Sequence, residues 1–118
     1  MLTKAIAIID DELDLVNLYK EALEMNGYKV CIFTDPTDAL DKLENQIGNY
    51  ALVISDYRMP AMNGNDLCTK LMSLNPKLKI IIISAFQEVE CDTSKFILLN
   101  KPILISQLLK TVKESLTK

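Results

Sequence analysis

The stretch AIAIIDDE, Ala5 to Glu12, decides the reading of the fold. Its first five residues form an uninterrupted apolar run of strand length, and three carboxylates, Asp10, Asp11 and Glu12, follow side by side. A continuously apolar strand is the mark of a sheet covered on both faces. Further runs of the same kind recur at Lys29–Phe33, Ala51–Ser55, Ile80–Ile83 and Phe96–Leu99. Segments of helical period lie between them. In ELDLVNLYKEALEMNG the residues Leu15, Leu18, Tyr19, Ala22 and Leu23 are read as one apolar stripe, with Gly27 as the stop. Asp35 before Pro36 suits the start of a second helix that is expected to end near Gly48. A third helix follows the loop carrying Pro60 and Gly64 and stops at Asn75-Pro76. Ile105, Leu108, Leu109 and Val112 form the stripe of a terminal helix.

Strict alternation of strand and helix predicts an α/β fold: a doubly wound, five-stranded parallel sheet of order 2-1-3-4-5 with helices on both faces. The length of 118 residues suits one domain over 1–118. The chain carries 13 basic and 16 acidic residues with no basic run, which argues against direct nucleic-acid binding. No apolar stretch approaches the ~20 residues needed to cross a bilayer, and the N-terminus lacks the features of a signal peptide, so no membrane insertion and a cytoplasmic location are expected. Cys31, Cys68 and Cys91 are widely spaced with no C-x-x-C pair and read as reduced thiols. Histidine is absent, which removes His-based triads, metal ligands and general bases together.

In a sheet of this order ligands sit outside the carboxyl ends of the strands, at the switch between the first and third. Asp10 and Asp11 follow the first strand, Asp56 the third and Lys101 the fifth, while Ser84 ends the fourth. Taken singly, each has an ordinary explanation. The acidic run favours the positive end of a helix, Asp56 starts a turn, Ser84 caps a strand, and Lys101 is solvated. Taken together, three carboxylates in one cleft repel unless a cation joins them. Oxygen ligands so few in number fit Mg²⁺ with retained waters better than Ca²⁺. A hydroxyl and an ammonium opposite could hold phosphoryl oxygens, and a carboxylate is a competent nucleophile toward phosphorus.

The motifs IIDDE, LVISDYRMPAMNG, IIISA and LLNKP, in this order and spacing, resemble the receiver domain of two-component response regulators across essentially the whole chain. The resemblance implies a flavodoxin-like fold with Asp56 as phosphoacceptor. It implies Asp11 and Asp56 as direct Mg²⁺ ligands, Asp10 acting through water, and the carbonyl of Arg58 as a further ligand. Ser84 and Lys101 would bind the phosphoryl group, the Lys101–Pro102 bond would be cis, and Pro60 and Gly64 would shape the loop. The implied partners are a sensor histidine kinase or phosphotransfer protein and a downstream protein target. The expected role is a stand-alone phosphorelay module, not an enzyme.

The competing readings are a degenerate receiver that acts without phosphorylation and a small Mg²⁺-dependent phosphatase with an Asp nucleophile. The phosphatase would need a D-x-D pair and room for a cap; the sequence has S-D-Y-R. A nucleotide binder would need a phosphate loop where DDELD stands. Two departures from the family concern output. Leu98 occupies the usual place of an aromatic switch, and only the eleven residues Ala85 to Lys95 separate Ser84 from Phe96. The fourth helix is therefore expected to be shortened or absent, with a short turn or loop at 87–95. Arg58 and Phe86 are expected to flank the path of water to the phosphoryl group.

Overall fold

The computed structural model describes residues 4–85 and 95–117. Five strands, β1 (Ala5–Ile9), β2 (Val30–Phe33), β3 (Tyr50–Asp56), β4 (Lys79–Ser84) and β5 (Ile97–Asn100), form one sheet of order β2-β1-β3-β4-β5. Every pairing is parallel. Helices α1 (Leu13–Met25), α2 (Pro36–Leu43), α3 (Gly64–Leu74) and α4 (Ile105–Leu116) are the α-helices among the described residues. The expected turn at 87–95 and the position of Phe86 fall outside those residues, apart from Lys95. None of the described helices is long and apolar enough to cross a membrane.

All five residues of β1 are buried because successive side chains serve opposite layers. Ala5, Ala7 and Ile9 join Val53, Ile80 and Ile82 of the sheet, with Ala39 and Leu43 of α2 and Leu67, Cys68 and Leu71 of α3. Ile6 and Ile8 join Leu52, Ile54, Ile81 and Ile83, with Val16, Tyr19 and Leu23 of α1 and Leu108 and Val112 of α4. Two apolar layers thus clamp the sheet, and the central strand ends are held in register at one edge.

Local signals set the helix limits. Gly27 lies just beyond α1 at φ +90°, a conformation glycine adopts without strain. Asp35 caps α2 by accepting from Thr37 N–H at 3.3 Å, with Pro36 in the first turn. Asn63 caps α3 by accepting from Asp66 N–H at 2.8 Å.

Two details differ from the sequence reading. In α1 the buried stripe is Val16, Tyr19 and Leu23, flanked by half-buried Leu15 and Ala22, while Leu18 is exposed. Residues i, i+3 and i+7 share a face, and Leu18 is rotated about 100° from its neighbour Tyr19. Helix α2 ends at Leu43 rather than near Gly48. The chain tightens there, Gln46 N–H donating to Leu43 O at 3.0 Å, and a 3₁₀ turn at Ile47–Asn49 then buries Ile47.

Candidate functional site

Asp10 is the first residue beyond β1. Its N–H donates to Phe33 O of β2 at 3.1 Å, and its Oδ1 accepts from Glu12 N–H at 2.9 Å, which turns the chain into α1. The side chain is buried, whereas neighbouring Asp11 is exposed. Asp56 closes β3 and is also buried; the next residue, Tyr57, donates its N–H to Ile83 O of β4 at 2.8 Å. Ser84 closes β4, buried, and its carbonyl accepts from Lys101 N–H at 2.8 Å. That bond fixes the Lys101 backbone against the fourth strand end, and the Lys101–Pro102 bond is cis.

From there the Lys101 ammonium reaches across the edge. Its Nζ lies 3.2 Å from Asp56 Oδ1, 3.7 Å from Asp10 Oδ2 and 3.8 Å from Glu12 Oε1. Carboxylate oxygens of Asp10, Asp11 and Asp56 all lie within 4.8 Å of one another. The predicted cluster is therefore assembled: three aspartates from two strand ends, with the lysine from a third. Arg58 lies exposed two residues beyond Asp56.

The electrostatics of the cluster are those of charge held out of water. Burial is the main reason the Asp10 carboxyl is pushed from 3.8 up to about 6; the Glu12 N–H opposes this and the Asp56 charge adds to it. Asp56 is likewise raised by burial, with the Lys101 ammonium pulling the other way. Burial pushes Lys101 down, but Asp56 and Asp10 outweigh it, and the ammonium is held above its ordinary value. One ammonium does not neutralise three carboxylates. The donor set, oxygen only and close-set, fits a small hard cation.

Three further residues shape the site. Glu12, read from the sequence only as a helix-start residue, is the N-cap of α1 and meets Lys101; being exposed, that pair contributes little. Gly64 N–H donates to Tyr57 O at 2.7 Å, and a Cβ on Gly64 would stand 2.3 Å from Asp56 O. The glycine is required by close approach rather than by its φ. Ser55, wholly buried, donates from Oγ to Asp56 O at 2.9 Å. The sequence marks Gly64 as a loop glycine and leaves Ser55 as an ordinary strand residue; what either touches it does not signal.

The profile of the response regulator receiver domain matches residues 6–113. The chain belongs to that family. This receiver domain is 33% identical over 113 residues to the response regulator RppA of Synechocystis, an alignment covering 92% of this chain and 48% of RppA. It thus spans about half the length of that relative. Among solved structures, a CheY-like receiver domain protein from Methanospirillum hungatei superposes with TM-score 0.88 at 29% identity, covering 98% of this chain and 94% of the other. The response regulator TrrA of Thermotoga maritima, solved in complex with Mg²⁺ and BeF, gives TM-score 0.84 at 28% identity, covering 96% of this receiver domain and 99% of that chain. The receiver domain therefore has the fold and the two-component family membership that its sequence motifs imply.

Proposed function

We propose that this receiver domain is a phosphoacceptor: Asp56 takes a phosphoryl group from a phosphohistidine of a sensor kinase or phosphotransfer protein. The observation that carries this is the Asp56 carboxylate at the sheet edge, 3.2 Å from the Lys101 ammonium and within 4.8 Å of the Asp10 and Asp11 oxygens. An Asp56 oxygen attacks phosphorus, the N–P bond to the donor imidazole breaks, and the imidazole leaves with the electron pair.

Asp10, Asp11, Asp56 and the Arg58 carbonyl would hold Mg²⁺, the ion found with the relative TrrA. Bound there, the ion would offset the negative charge of the carboxylates and the phosphoryl oxygens. Lys101 orients the Asp56 carboxylate before transfer and pairs with a phosphoryl oxygen after it. The Ser84 hydroxyl, at the adjacent strand end, donates to another phosphoryl oxygen. Asp10 holds the β1–α1 turn through Glu12 N–H and keeps negative potential in the cleft.

The domain is a signalling acceptor rather than a turnover enzyme, it works in the cytoplasm, and its output is a changed contact with a downstream protein. Intact-mass measurement after incubation with Mg²⁺ and acetyl phosphate tests the reading. The wild-type chain should gain one phosphoryl group, and Asp56→Asn or chelation of the metal should prevent it. An equal gain in Asp56→Asn would overturn the assignment.

A further inference from the structure

The peptide unit that joins Asp56 to Tyr57 is held at both ends. Its N–H, on Tyr57, donates to Ile83 O of β4 at 2.8 Å, and its carbonyl, Asp56 O, accepts from Ser55 Oγ at 2.9 Å. The following peptide is also tied, its carbonyl, Tyr57 O, accepting from Gly64 N–H at 2.7 Å. These bonds fix the backbone torsion that directs the Asp56 side chain. Two of the three bonds reach neighbouring elements; the third comes from the hydroxyl of Ser55.

Ser55 shares the sheet face of Val53, against α3, and is wholly buried in a strand that is otherwise apolar from Leu52 to Ile54. A hydroxyl in such a layer is costly unless bonded. Besides its bond to Asp56 O, it faces the layer in which the Cys68 side chain of α3 is also wholly buried. A Cβ on Gly64 would lie 3.0 Å from Ser55 Oγ, so the first turn of α3 closes directly over this junction. Strand and helix meet at the carbonyl of the residue whose carboxylate must stand beside Lys101.

We propose that Ser55 is a positioning residue for the phosphoacceptor: its hydroxyl, seated beneath Gly64, clamps the Asp56 carbonyl and so sets where the Asp56 carboxylate stands. The inference rests on the reading of Asp56 as acceptor. Without the hydroxyl, the peptide plane is held only at its N–H end and can rock about the strand axis, moving the carboxylate relative to Lys101. Reaction rates are sensitive to such displacements. A serine that served stability alone would leave the rate of the folded protein unchanged when replaced.

The test combines phosphorylation kinetics with an observable independent of phosphorylation. At a temperature where every variant is folded, Ser55→Ala should lower the maximal rate of phosphorylation by acetyl phosphate about tenfold with half-saturation unchanged. Ser55→Thr should restore the rate, and Cys68→Ala should leave it near wild type. In metal-free protein, the ¹³C resonances of the Asp56 carbonyl and carboxyl should move in Ser55→Ala and stay in place in Cys68→Ala. Resonances and maximal rate at wild-type values in Ser55→Ala would overturn the proposal, as would a lowered melting temperature with an unchanged rate. If the wild-type chain takes no phosphoryl group, the acceptor reading fails, and the Asp56 resonances alone decide whether the clamp exists.

Discussion

Replacing Asp10 by asparagine should stabilise the metal-free domain at neutral pH, and the gain should vanish in acid. The carboxyl is nearly inaccessible to water, lies in the cluster with Asp11 and Asp56, and is pushed from 3.8 up to about 6. A carboxyl raised in the folded state binds its proton more tightly there than in the unfolded chain. Its favourable contribution is complete below the unfolded value near 3.8 and is lost as pH rises through about 6. About two pH units at 1.36 kcal/mol each make the ionised group cost up to about 3 kcal/mol above pH 7. The substituted amide would keep an oxygen to accept from Glu12 N–H but carry no charge. The Asp10→Asn variant should therefore gain up to about 3 kcal/mol at pH 7.5, about half of that at pH 5, about a fifth at pH 4 and almost nothing at pH 3. For a chain of this length, roughly 4 °C accompanies each kcal/mol, so the melting temperature should rise by about 12 °C at pH 7.5. Thermal and urea melts in EDTA across this range give the measurement. A variant no more stable than wild type at pH 7.5, or a gain independent of pH, would refute the reasoning.

Lys101→Met removes the ammonium beside Asp56 and Asp10 and should destabilise the metal-free domain by about 2 kcal/mol at pH 8, less at pH 4, where Asp10 is protonated; urea melts at both pH values check this. Gly64→Ala drives a methyl into the Asp56 carbonyl, so α3 must shift; a loss of about 1 to 3 kcal/mol and slower phosphorylation are expected, from melts and intact mass. Asn63→Ala removes the cap of α3 at a cost of about 1 kcal/mol, and Asn63→Asp should restore it, both with phosphorylation near wild type.

The sheet was legible because parallel strands buried on both faces leave continuous apolar runs, and β1 is buried at every position. The site was legible because Asp10, Asp11, Asp56, Ser84 and Lys101 stand at or just beyond the ends of those runs, and parallel strands bring such ends to one edge. What sequence conceals is the third dimension. Leu18 and Val16 are equally apolar, and only the rotation of α1 against the sheet decides which is buried. Ser55 reads as an ordinary strand residue until the first turn of α3 closes over it, and the need for glycine at position 64 follows from an approach to Asp56 O that no local pattern encodes. The magnitude of the charge problem was equally hidden, because the rise at Asp10 comes chiefly from burial rather than from its acidic neighbours.

The central claim is that the phosphoryl group is carried on Asp56, and reductive trapping tests it most directly. Borohydride converts an aspartyl phosphate to homoserine, so peptide mapping of the wild-type chain after incubation with Mg²⁺ and acetyl phosphate reports the position of attachment. Conversion at position 56, with none at positions 10 or 11, is the predicted result. Conversion at Asp10 or Asp11, or a borohydride-resistant phosphate on Ser84 with position 56 unchanged, would contradict the account.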